Sequence, residues 1–279
     1  MRVVKIGGRA QSDARFATLM ANACRTTGPF AAGAAAAARS GGADEHALCL
    51  VHGGGDEVSA LQRTLGLEPR FVGGRRVTSE ADLDVVRMVL SGTTNKRIVA
   101  QLLGAGVRAV GISGEDANLF SAVPLDAATM GRVGGATTVD PRIVHVLCDA
   151  GFVPVISPLA REAGGNGAGL NVNGDDAAAA LAIALAASEL LLVVDVGGVL
   201  AAGAVLPELD AERAHALIAS GEAAGGMAAK LQAAERALRG GVSVVRIAPL
   251  DGITNSTVGT RFVSAVTSAS AFAPAPASA

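Results

Sequence analysis

Six short apolar runs recur along the chain: "RVVKI", "ALCLVH", "VRAVGIS", "FVPVIS", "ELLLVVDV" and "VSVVRIA", with glycines and helix-like stretches between them. A strand that is apolar at nearly every position has to be covered on both faces, because successive side chains point in opposite directions. Strands of this kind, separated by helical stretches at 79–103, 174–188 and 228–239, predict an α/β protein. The expected architecture is a three-layer αβα sandwich with a mostly parallel central sheet. Ligands in such a sheet gather at the carboxyl ends of the strands, where the glycines lie.

A chain of 279 residues can bury one large core or two modest lobes. The expected division is an N-terminal lobe at 1–168, a C-terminal lobe at 169–264 and a disordered Pro/Ala/Ser-biased tail at 265–279. The Gly/Ala-rich segment 28–47 reads as a surface insertion between the first helix and the second strand. A formal charge of −2 argues against a nucleic-acid surface, which would carry an excess of Lys and Arg. The apolar stretch "DDAAAALAIALAA" is too short for a membrane span and opens on two aspartates. Cys24, Cys49 and Cys148 form no CxxC pair, which reads as reduced thiols in a cytoplasmic protein, with neither a disulfide framework nor a metal site.

Glycines cluster at four strand ends: Gly7-Gly8, Gly53-Gly54-Gly55, Gly111 with Gly114, and Gly197-Gly198. Each is compatible with a tight strand-to-helix turn. Four on one sheet point instead to backbone N–H groups converging on phosphate oxygens. No GxxxxGK[ST] occurs. A GxGxxA does occur at Gly104–Ala109, but a helical pattern precedes it and a strand follows, the reverse of a dinucleotide fingerprint, so it reads as the end of a helix.

In chain order the sequence carries "KIGG", "VHGGG", "GRRVT", "MVLSGTTNKRIVAQL", "AVGISGED", "NVNGDDAAAALA", "VVDVGGVL", "GGMAAKLQAA" and a terminal "GT". This succession, from Arg2 to about Val263, resembles the amino-acid kinase family. The resemblance implies the fold of that family and transfer of the ATP γ-phosphoryl group to a carboxylate of an acylated amino acid. The N-terminal lobe would bind the acyl amino acid and dimerise, and the C-terminal lobe would bind ATP. It also implies small-molecule substrates, a homodimer, and Mg²⁺ carried on the ATP phosphates. A non-catalytic ligand sensor on the same fold stays open.

An ionised carboxylate needs no general base, so such a site consists of cations and N–H donors that bring two anions together. By the resemblance, Lys5 and Lys230 are the catalytic cations and Asp175 holds them. Read alone, Asp175 is equally a helix N-cap, and Asp176 beside it is a rival. Arg76, just before Val77-Thr78, would fork onto a substrate carboxylate, with Arg75 as its rival. Asn171 would add amide contacts, and Gly54 and Gly55 would hold the reacting carboxylate. ATP would lie against Gly7, Gly8, the strand end Asp195, Val196, Gly197, Gly198, Val199 and Leu200, and the loop Glu222, Ala223 and Ala224. Two positions depart from the family pattern: Arg9 stands where a small residue is usual, and Gly174 replaces an alanine before the aspartate.

Overall fold

The computed structural model describes residues 1–27, 47–165 and 167–264. The predicted tail, and all of the predicted insertion but Ala47, lie outside the described residues. In chain order, β1 (Arg2–Ile6) leads to α1 (Phe16–Thr27), and β2 (Leu48–His52) to α2 (Gly55–Thr64). A hairpin follows, β3 (Phe71–Val72) and β4 (Arg75–Arg76), then a long helical stretch. That stretch comprises α3 (Glu80–Arg87), a π-helical segment at Met88–Thr94, and α4 (Asn95–Gly104). Next come β5 (Ala109–Ser113), β6 (Phe120–Pro124), α5 (Ala127–Met130), β7 (Val133–Val139) and α6 (Arg142–Asp149). Then β8 (Val153–Ser157), β9 (Leu159–Glu162) and β10 (Gly169–Val172) precede α7 (Gly174–Ala184) and β11 (Glu189–Val193). The chain continues through β12 (Leu200–Ala201), β13 (Ala204–Val205), β14 (Glu208–Leu209), α8 (Ala211–Ala219) and α9 (Gly225–Arg239), closing with β15 (Val244–Ala248) and β16 (Thr260–Phe262).

All six apolar runs become strands of one eight-stranded sheet, ordered β14-β16-β15-β11-β1-β2-β8-β5. Every neighbouring pair is parallel except β15 with β16. The three predicted layers are present, and the two-residue period of the strands explains them. Val3, Cys49, Val51, Leu190, Leu192, Val245 and Ile247 share one core with the alanines and leucines of α7 and α9. The alternate residues Val4, Ile6, Leu48, Leu50, Leu191 and Val193 share another with Phe16 and Met20 of α1 and Ile98 and Leu102 of α4. Lys5 is in phase with Val3, so the period that builds the sheet also aims it at the α7/α9 layer.

The helix predicted at 79–103 forms with a π-helical segment inside it. Its start is fixed by a capping box, in which Ser79 accepts from the Asp82 N–H and Asp82 accepts from the Ser79 N–H. Periodicity did not reveal the closed β10-β7-β6-β9 barrel or the two small hairpins. Strands such as "VGGATTV" are too short and too poor in large apolar residues to announce themselves. The GxGxxA does end a helix: Gly106, at φ 82°, follows α4 and precedes β5. Among the described residues, no helix is long and apolar enough to cross a membrane.

Candidate active site

Asp175 is the centre of the site. It lies in the first turn of α7, but it is not the cap. Asn173 caps the helix, its Oδ1 accepting from the Asp175 and Asp176 N–H groups at 2.8 and 3.3 Å. With the cap supplied by its neighbour, the Asp175 carboxylate is free to face the sheet. Lys5 Nζ, from the end of β1, lies 2.8 Å from Asp175 Oδ1, and Lys230 Nζ, from α9, lies 3.3 Å from Oδ2. Their side chains are 8%, 5% and 14% exposed in the order Lys5, Asp175, Lys230, so the group is nearly dry.

Burial alone would push Asp175 upward. The charges and hydrogen bonds of Lys5 and then Lys230 outweigh it and hold the carboxyl below its ordinary value. Lys230 moves down, because burial and the nearby Lys5 charge exceed the pull of Asp175. Gly174 makes room for this arrangement: a Cβ there would sit 3.2 Å from Lys5 Cε.

Beside this group is a cavity of about 190 Å³ lined by Gly53, Gly54, Gly55, Arg76, Asn171 and Gly174, with an apolar wall that includes Val58, Val86 and Leu90. The Arg76 guanidinium donates to the Gly55 carbonyl at 2.7 Å, to Ser59 Oγ at 2.8 Å and to Gln62 Oε1. Its Cζ lies 4.7 Å from the Phe71 ring centroid. Burial lowers its pKa from the ordinary value. Asn171 Nδ2 donates to Thr78 Oγ1 at 3.0 Å. Ser59 and Gln62 had no local sequence signal, because their roles come from α2 meeting the β3–β4 hairpin.

Behind the second glycine cluster lies His52, fully buried. Asn95 Nδ2, from the first turn of α4, donates to His52 Nε2 at 3.1 Å and to the Val155 carbonyl at 2.9 Å. His52 Nδ1 donates to the Gly53 carbonyl at 2.9 Å, which fixes a neutral ring. Burial lowers its pKa to about 4. The π-helical segment presses on the same loop: a Cβ on Gly54 would lie 2.7 Å from Leu90 Cδ2 and 3.2 Å from Thr94 Oγ1.

On the other side, the expected stretch 195–200 leads into the β12–β13 hairpin, and 222–224 leads into α9. The Val199 N–H donates to Thr260 Oγ1 at 2.8 Å, and Thr260 donates to the Leu206 carbonyl at 2.6 Å. Glu222 Oε2 accepts from the Ala202 N–H at 3.2 Å, and the Ala223 N–H donates to the Leu217 carbonyl at 2.9 Å. The Ala202–Glu222 bond ties the turn after β12 to the loop before α9. Arg9, after Gly7-Gly8, reaches Asp195 at 3.7 Å.

Gly111 lies inside β5, and the Gly114 N–H already donates to the Ser157 carbonyl at 3.0 Å. A Cβ on Gly111 would collide with the Asn95 side chain, and one on Gly114 with the Leu159 carbonyl and the Phe120 ring, so both are glycine for packing. Arg75 and Asp176, the neighbours of Arg76 and Asp175, have partners of their own, although Arg75 lines the same cavity as Arg76. They pair with each other, Arg75 Nη1 donating to Asp176 Oδ2, and Arg236 of α9 donates to Asp176 Oδ1. The only sequence signal for this was the presence of an arginine doublet and an aspartate doublet.

The sequence model of the amino acid kinase family matches residues 1–249. An acetylglutamate kinase of Chloroflexus aurantiacus is 46% identical over 217 residues, 77% of this chain and 84% of that protein. One from Roseiflexus sp. is 40% identical over 255 residues, 91% of this chain and 90% of that protein. A solved structure from Streptococcus mutans UA159 superposes with a TM-score of 0.81 at 27% identity, covering 95% of this chain and 98% of that one.

Proposed function

The chain belongs to the amino acid kinase family, and from that premise we propose that it is an acetylglutamate kinase of arginine biosynthesis. It transfers the γ-phosphoryl group of ATP to the side-chain carboxylate of N-acetyl-L-glutamate and yields an acyl phosphate. The observation that supports this most is a buried aspartate between two lysines from different elements, beside a cavity walled by an arginine and an asparagine.

In this reading the segment 1–168 supplies most of the acyl amino acid pocket and the dimer contact, and 169–264 supplies the nucleotide side. The α-carboxylate of the substrate pairs with Arg76, whose fork suits a carboxylate, and with the Asn171 amide. Its side-chain carboxylate sits at the Gly54 and Gly55 N–H groups, already ionised and ready to attack. Lys5 bridges the moving phosphoryl group and Lys230 meets charge on the leaving oxygen, while Asp175 keeps two like charges close together. ATP lies against Gly7, Gly8, Asp195–Leu200 and Glu222–Ala224.

Mg²⁺ would arrive on the ATP phosphates, where it neutralises charge. The donor set fits that: the Asp175 oxygens already face lysines, and Mg²⁺ commonly keeps water and phosphate ligands. The enzyme works as a cytoplasmic homodimer on small molecules.

The test is ADP release with ATP and magnesium against N-acetylglutamate, N-succinylglutamate, glutamate and aspartate. Turnover confined to N-acetylglutamate is expected. Preference for the succinyl compound would keep the chemistry and change the substrate. ATP binding without turnover on any of them would overturn the enzyme reading.

A further inference from the structure

Among the described residues, the β3–β4 hairpin pairs with no other strand. A two-stranded ribbon is marginal by itself, and Phe71 and Val72 are exposed, so its position depends on what anchors it. Arg76 anchors one side to α2, through the Gly55 carbonyl, Ser59 and Gln62. Arg75, on the opposite face of the same strand, anchors the other side to Asp176 of α7. At the turn, Gly74 lies at φ 75°, and a Cβ there would be 3.5 Å from the backbone of Gly225, the first residue of α9.

Asp176 therefore joins three elements, holding Arg75 of the hairpin with one oxygen and Arg236 of α9 with the other. It adjoins Asp175 in the first turn of α7, and Arg236 stands six residues, about 9 Å, along α9 from Lys230. The helices α7 and α9 are thus pinned at two points, Lys230 on Asp175 and Arg236 on Asp176. The second pin also carries the hairpin.

Resting on the reading of the site given above, we propose that Asp176 is a positioning residue for phosphoryl transfer. By holding Arg75 and Arg236 together it makes two motions one event: the hairpin seating the acyl amino acid against Arg76, and α9 setting Lys230 against Asp175. The acyl amino acid and the nucleotide then bind synergistically, because each stabilises the same arrangement of hairpin and helices. The network borders a cleft of about 590 Å³ that Arg75, Asp176 and Arg236 all line. Water can therefore reach the charges, and removal of one partner leaves a folded protein.

The test uses full-length wild type, Arg75→Met, Arg75→Lys, Asp176→Asn and Arg236→Met. The affinity for N-acetylglutamate is measured calorimetrically with and without a non-hydrolysable ATP analogue, alongside KM and kcat. In wild type the analogue tightens N-acetylglutamate binding. In Arg75→Met and Asp176→Asn the KM for N-acetylglutamate rises about tenfold and the synergy disappears, while the analogue alone binds within about twofold of wild type. Arg236→Met shows a smaller loss of synergy, and Arg75→Lys recovers part of it by restoring the charge.

Amide hydrogen exchange over residues 70–77 is followed in the same proteins without ligand. It accelerates in Arg75→Met and Asp176→Asn while β1 and β2 stay protected. Intact synergy in Asp176→Asn, or equal losses of N-acetylglutamate and analogue affinity with a lowered Tm, would overturn the proposal. If wild type binds the analogue but not N-acetylglutamate, the substrate reading fails, and unchanged exchange at 70–77 in Asp176→Asn would then overturn the latch on its own.

Discussion

Two adjacent aspartates on one helix each lie between two cations, and their surroundings differ. Asp175 faces inward between lysines from β1 and α9, with side-chain exposures of 8% and 14%. Asp176 faces a cleft between arginines from the hairpin and α9, exposed by 22% and 45%. Lysines are compact, mobile charges whose protonation responds to burial. Arginines are rigid forks that stay charged and fix direction. Adjacent helix positions, about 100° apart, have given one helix turn a buried carboxylate between lysines and a cleft-side carboxylate between arginines.

That comparison predicts unequal losses. Asp175→Ala leaves two buried ammonium groups without their counter-ion and should cost about 3–5 kcal/mol of stability. Asp176→Ala, 12% exposed itself but with partners that reach water, should cost less, about 1–2 kcal/mol. Urea unfolding of both variants checks this, and equal costs would break the distinction.

Next in size is catalysis. Lys5→Ala or Lys230→Ala should lower turnover by roughly 10²–10³ with the fold intact, as for the loss of one preorganised donor. Wild-type-like ADP release in either variant would remove that lysine from the chemistry.

Acid sharpens the comparison from the buried side. His52 has a pKa of about 4 in the fold against 6.5 in a free side chain. Its contribution is fully present above pH 6.5 and is lost as the pH falls towards 4, because the unfolded chain takes up a proton that the folded one refuses. The loss should reach about 3 kcal/mol. Protonation would place an N–H at Nε2 against the Asn95 amide donor. Stability measured between pH 7 and 4 should fall with this slope, and His52→Gln should flatten it.

The smallest effect belongs to Gly174→Ala. Alanine favours the helix by up to about 1 kcal/mol, while its Cβ would approach the flexible Lys5 side chain at 3.2 Å. A slightly higher Tm with turnover within about threefold of wild type is expected. A collapse of activity would mean that the lysine has no room to yield.

How much of this was legible differs by element. The central sheet was readable because strands buried on both faces need continuous apolar runs, and Val3, Val4 and Lys5 show one period assigning both cores and turning Lys5 towards Asp175. The small barrel was not, because β7 gains its burial from neighbours and its own composition, "VGGATTV", gives no such signal. Among the glycines, Gly54 at the cavity and Gly111 against Asn95 look alike in sequence. Only the packing separates them.

The sequence by itself determined the class of fold, the order of the strand-end motifs and the set of charges that phosphoryl transfer to a carboxylate requires. Motif and periodicity are local properties of a chain, and they survive without coordinates. The tertiary structure alone decided which partners each neighbour in the two doublets meets. Arg75 and Arg76 point to opposite sides of a strand, Asp175 and Asp176 to different faces of a helix, and their partners lie tens of residues away. An ion pair forms where folding brings two side chains within a few ångströms, and no stretch of sequence shorter than the fold contains that distance.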